Sequence, residues 1–156
     1  MYQRFGLYTL APWYHLFFTS ITRCILHKNV IHLSLNVLTF LVIWYFHIPI
    51  PWSVLWWVIL YYCYLNSVCI YLYQRRNPMI IVGISDVVCS LYTFYTLKTF
   101  TLETLYQLFL KIMIDEYLIC YHLNQIYHLE VSISSHMIGY STGLCMRIIY
   151  NIVGSE

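Results

Sequence analysis

A serine, two histidines and an asparagine stand inside otherwise apolar stretches of the 156-residue chain, in three short patterns: His32-x-x-x-Asn36, Gly83-Ile84-Ser85 and His136-x-x-Gly139-x-x-x-Gly143. A serine hydroxyl is a weak nucleophile until a neighbouring base takes its proton, and an imidazole is the side chain suited to that task near neutral pH. An asparagine amide and a second imidazole can donate hydrogen bonds to an oxyanion as it develops, a role commonly worth about 3 kcal/mol per donor in hydrolases. Ser85 with His136 therefore forms a candidate nucleophile and base, and His32 with Asn36 a candidate oxyanion hole. Taken singly, each residue has a plainer reading: serine bonds the carbonyl one turn back, and histidine or asparagine joins two helices.

The elements that must position them are membrane helices. Of the residues, 61% are hydrophobic and 9% charged, whereas soluble domains carry about 25% charged side chains. Too little polar surface is available to cover a soluble fold, and the expected class is an all-α, polytopic helical membrane bundle. Five apolar segments read as spans, at Val30 to Phe46, Pro51 to Tyr73, Met79 to Leu97, Leu105 to Leu123 and Ile133 to Val153. Each is near the roughly 20 residues that cross a hydrocarbon core of about 30 Å. The connectors are too short for a further domain. Residues 1–29 read differently, as an interfacial segment in which Trp13, Tyr14, Phe17 and Phe18 mix with Arg4, Pro12, His15, Arg23, His27 and Lys28, a combination suited to the headgroup layer. The bundle proper is expected over 30–156.

Polar side chains in a membrane helix cost several kcal/mol unless paired or facing a wet cavity, so their placement is informative. If short loops join five successive spans, the first, third and fifth start from one face of the membrane. His32 and Asn36 lie near the start of the first, Ser85 of the third, His136 of the fifth. All four then fall within about 5 to 10 Å of one surface, at 1.5 Å per residue. His32 and Asn36, four apart, share a helix face. Gly139 and Gly143 form a small-x-x-x-small face that permits close backbone approach, and Gly83 thins the partner beside Ser85.

These patterns resemble the rhomboid intramembrane serine proteases. The matching pieces are His32-Leu-Ser-Leu-Asn36, Gly83-Ile84-Ser85 and His136-Met-Ile-Gly139-Tyr-Ser-Thr-Gly143, in the family's order, with 49 residues from Asn36 to Ser85 and 51 from Ser85 to His136. The resemblance covers about residues 13 to 153. It implies that Ser85 is the nucleophile and His136 its base, in a dyad that needs no acid, metal or cofactor, with His32 and Asn36 at the oxyanion hole. It also implies that the basic and aromatic stretch ahead of the first span corresponds to the family's first extramembrane loop. Two departures stand out. Asp86 occupies the position of the family's glycine after the serine, and the family's six-span core has a helix ahead of the loop that these residues are expected to lack.

The function expected on this basis is hydrolysis of peptide bonds in single-span membrane proteins whose helices unwind near glycine or proline. The alternatives are a catalytically inactive rhomboid-like protein that binds membrane helices, and a structural subunit of a larger membrane complex. The expected partners are the lipid bilayer and transmembrane helices, with no nucleic acid. Asp86 is expected to favour the helix dipole at its own N-terminus, or to pair with a nearby imidazolium. Lys111, Asp115, Glu116 and Arg147 are read as an ion-pair network between the last two spans, and Trp52, Trp56 and Trp57 as interfacial anchors. The six cysteines are scattered without a C-x-x-C pair and read as apolar fillers. Arg4, Arg23, Lys28, Arg75 and Arg76 all fall on the face where the site would open, which sets the positive-inside rule against the outward opening that the resemblance implies. Orientation is left open by the sequence.

Overall fold

The computed structural model describes residues 7–8, 12–27, 30–73, 80–97, 101–114, 118, 121–122, 125 and 132–154. A 3₁₀ turn at Trp13–His15 leads into α1 (Leu16–Ile25), followed by α2 (Val30–His47), α3 (Trp52–Tyr73), α4 (Ser85–Thr96), α5 (Leu102–Ile114) and α6 (Ile133–Val153). β1 (Leu7–Tyr8) and β2 (Ile80–Ile81) pair as a two-residue antiparallel ladder, with Leu7 opposite Ile81 and Tyr8 opposite Ile80. The fold is an all-α bundle, as the composition predicts.

Local sequence explains where the long helices begin and end. Pro49 and Pro51 cannot continue α2, and the Pro51 carbonyl instead accepts from the Val54 and Leu55 N–H groups, both at 3.0 Å, to open α3. Ser132 caps α6, its Oγ accepting from the Ser135 N–H. Among the described residues, α2 and α3 are long and apolar enough to cross a membrane.

Burial runs in the reverse sense to that of a soluble protein. On α2 the buried residues are Asn36 and Ile43, while Leu35, Val37, Leu38, Leu41 and Val42 face outward. The interior holds Arg23, Asn66, Ser67, Asp86, Ser90 and Thr93, each 1% exposed or less. Polar groups satisfied inside and apolar surface outside is the arrangement a lipid solvent favours.

α4 is the centre of the bundle, and it departs from the expected third span. At 12 residues and 1.5 Å per residue it is about 18 Å long, short of the thickness of the hydrocarbon core. Residues Ser85 to Leu91 are all buried. The segment ahead of it is not helical, because Ile80–Ile81 is tied to β1 and Gly83 takes a φ of 110°, a conformation that excludes helix and favours glycine. Apolar residues of α2, α3 and α4, among them Ile43, Leu55, Ile59, Tyr62, Val87, Val88 and Leu91, pack as one core. Cys89, Leu97, Leu108 and Tyr140 join α4 to α5 and α6 in a second.

Candidate active site

Helices α4 and α6 lie against each other with almost no side chain between them. A methyl group on Gly139 would lie 2.9 Å from the Asp86 Cα and run into its carbonyl oxygen, and one on Gly143 would meet the Ser90 Cα at 2.9 Å and the Thr93 Cβ at 2.9 Å. Four residues along α6 match four along α4, so the two helices run parallel. Ser85 immediately precedes Asp86, and His136 lies one turn before Gly139 on the same helix. Both stand at the N-terminal end of this seam, Ser85 as the buried first residue of α4 and His136 half-buried in the first turn of α6.

The same end of α2 supplies the other two candidates. The space a side chain on Gly83 would take is bordered by imidazoles: His32 Cε1 lies 3.3 Å from the Cβ position and His27 Cδ2 and Nε2 lie 3.8 Å from it. The His27 and His32 rings meet edge to face with centroids 5.6 Å apart. Asn36, buried at 8% exposure, has its Nδ2 3.4 Å from His27 Nε2, and His27 Nδ1 lies 3.3 Å from the Ile25 carbonyl. A His27 tautomer with its proton on Nδ1 satisfies both contacts, accepting from Asn36 and donating to Ile25. Sequence reasoning placed His27 only within a basic interfacial stretch. Its five-residue spacing ahead of His32 was the signal available.

Arg23 and Asp86 carry the largest correction. Arg23 is expected from sequence at the headgroup layer and Asp86 as a partner for the helix dipole or an imidazolium. Instead both are buried, at 0% and 1% exposure, and form a two-pronged ion pair, Nη2 to Oδ2 at 2.7 Å and Nη1 to Oδ1 at 3.0 Å. Arg23 Nη1 also donates to the Gly83 carbonyl at 3.2 Å, Nε donates to Ser67 Oγ at 2.7 Å, and the Arg23 carbonyl accepts from the Gly83 N–H at 2.8 Å. Burial alone would lower the Arg23 pKa, but the Asp86 carboxylate opposes it and the result lies above the ordinary arginine range. An uncompensated buried guanidinium would be prohibitive. The two residues are 63 positions apart, so no local pattern pairs them.

A second polar knot sits one turn deeper. Asn66 Nδ2 donates to Ser90 Oγ at 2.9 Å, Thr142 Oγ1 donates to Asn66 Oδ1 at 2.6 Å, and Ser90 Oγ lies 3.0 Å from Thr142 Oγ1 and 2.9 Å from the Gly139 carbonyl. It ties α3, α4 and α6 together. Cys24 and Cys63, expected only as fillers, bring their sulfurs to 3.3 Å across α1 and α3. Of the expected ion-pair network, Asp115 and Glu116 lie outside the described residues. Lys111 Nζ stands 4.2 Å above the Tyr92 ring, and Arg147 stacks on Phe94 and Tyr150.

Among the described residues no group of three or more histidine, cysteine, aspartate or glutamate side chains could hold a metal ion. A family model for the Rhomboid domain matches residues 13–152. No curated protein and no solved structure matches the chain.

Proposed function

Since the chain belongs to the rhomboid family and is accordingly a membrane protein, we propose that it is an intramembrane serine protease that cleaves single-span membrane proteins with a Ser85-His136 dyad. The carrying observation is the seam between α4 and α6. Gly139 against the Asp86 backbone leaves Ser85 and His136 at one end of two parallel helices, with His136 one turn from the contact. In the reaction His136 takes the Ser85 proton as Oγ attacks the peptide carbonyl, and later delivers it to the leaving amine. The tetrahedral oxyanion is met by donors from the His32 and Asn36 side chains. It is also met by the first-turn N–H groups of α4, which Ile84 leaves without a side-chain cap.

The multi-pass reading follows the same reasoning. α2, α3 and α6 cross the bilayer beside a short central α4, whose N-terminus meets the substrate near one surface. A substrate helix must unwind before its carbonyl reaches Ser85, which selects helices weakened by glycine or proline. The test is a pair of single variants in proteoliposomes. Ser85→Ala and His136→Ala should each abolish fluorophosphonate labelling and cleavage of a model single-span substrate, and each loss should be about as large as that of the double variant. Cleavage by Ser85→Ala equal to the parent's would remove the protease reading. Helix capture by a parent that neither labels nor cleaves would favour a binding protein instead.

A further inference from the structure

The serine lies between two residues held by Arg23. Gly83, two positions before it, gives its N–H to the Arg23 carbonyl and its own carbonyl to Arg23 Nη1; Asp86, one position after it, takes Nη1 and Nη2 on its two carboxylate oxygens. The remaining bond, Nε to Ser67 Oγ, anchors the guanidinium on α3, and Ser67 Oγ in turn donates to the Cys63 carbonyl at 2.6 Å. A planar guanidinium projects its N–H groups in a fixed fork, so four acceptors on three elements are held at set angles. An ammonium on a flexible stem carries the same charge without that geometry.

We propose that Arg23 and Asp86 are positioning residues that fix where the Ser85 hydroxyl and the first-turn N–H groups of α4 point. This rests on the protease reading and specifies what orients its nucleophile. Neither side chain need touch substrate. The pair acts by holding the Gly83 turn and the first turn of α4 in one arrangement, against which the imidazoles of His27 and His32 pack. Small misplacement of a reacting group is enough to cost a large factor in rate.

The test compares Arg23→Lys and Asp86→Asn with Leu55→Ala in the full chain in proteoliposomes. Leu55 is completely buried near the start of α3, twelve residues and so about 18 Å of helix from Ser67, the α3 residue that anchors Arg23, so its truncation lowers stability by leaving a cavity away from the clamp. The readouts are kcat and KM for a single-span substrate below every variant's melting range, and amide exchange over residues 83–86. Arg23→Lys and Asp86→Asn should lower kcat at least tenfold with KM within about twofold, and speed exchange over 83–86 about tenfold. Leu55→Ala should lower the thermal midpoint while leaving kcat and that exchange near parental values. Retained kcat in both Arg23→Lys and Asp86→Asn, or an equal fall in Leu55→Ala, overturns the positioning role. A parent with neither labelling nor cleavage removes the protease reading and not the clamp, which is then decided by exchange alone: no change over 83–86 in either variant overturns it. If Arg23→Lys does not fold, Asp86→Asn carries the same comparison.

Discussion

Asp86 is buried at 1% exposure, and among the described residues the cation that pairs with its carboxylate is Arg23. Breaking a buried ion pair by removing one member typically costs about 3 to 5 kcal/mol, because the other charge is left uncompensated. Asp86→Gly removes the carboxylate from a fully buried Arg23. The variant is therefore expected to lose about that much stability and to lose activity, although the substitution introduces the residue that the rhomboid resemblance would place there. Thermal denaturation with an activity probe checks this, and an Asp86→Gly chain that cleaves faster than the parent would contradict it. Ionic screening reaches buried pairs weakly. The difference in thermal midpoint between the parent and Asp86→Asn should therefore be nearly the same at low and high salt, whereas a surface pair would fade.

The α4–α6 seam decides whether the candidate groups meet. Gly139 and Gly143 contact backbone on the opposite helix, which cannot yield as a flexible side chain can. Gly139→Ala should then force the helices apart, at the roughly 1 to 3 kcal/mol or more that overpacking costs, and should reduce probe labelling although no reacting group is altered. An unchanged midpoint in detergent and unchanged labelling would argue against close approach. The Asn66, Ser90 and Thr142 knot holds the same seam from the side of α3. Asn66→Ala leaves two buried hydroxyls short of a partner, an expected loss of about 1 to 3 kcal/mol readable as a lower thermal midpoint.

Among the described residues, many large apolar side chains face outward while buried polar ones converge on α4. Trp57 is 74% exposed on α3, while Trp44 is half-buried and packs against Trp52 with tilted rings whose centroids are 4.4 Å apart. In bilayers, a variant retaining Trp57 as its sole tryptophan should be quenched more strongly by brominated acyl chains than one retaining Trp44. Equal quenching would mean that this face of α3 meets protein instead of lipid. The outward apolar surface also explains why the chain was readable as a membrane protein from composition alone: 9% charge cannot clothe a soluble fold of this size.

Composition and spacing by themselves determined the helical class, the bounds of α2, α3 and α6, and the three patterns bearing Ser85, His136, His32 and Asn36. Each of these depends on local chain properties: apolar run length, proline and serine at helix ends, and the small residues Gly139 and Gly143 on one face. Tertiary structure alone decided that the third apolar segment begins its helix only at Ser85. There the competing influence is the pairing of Ile80–Ile81 with a strand more than 70 positions earlier in the chain, together with the positive φ of Gly83. It also decided that Arg23 belongs to Asp86 and that Asn66 belongs to Ser90 and Thr142. A charged or amide side chain in an apolar sequence announces that it needs a partner. Which partner it finds depends on how separate helices pack, because any of several polar groups of comparable depth could have satisfied it.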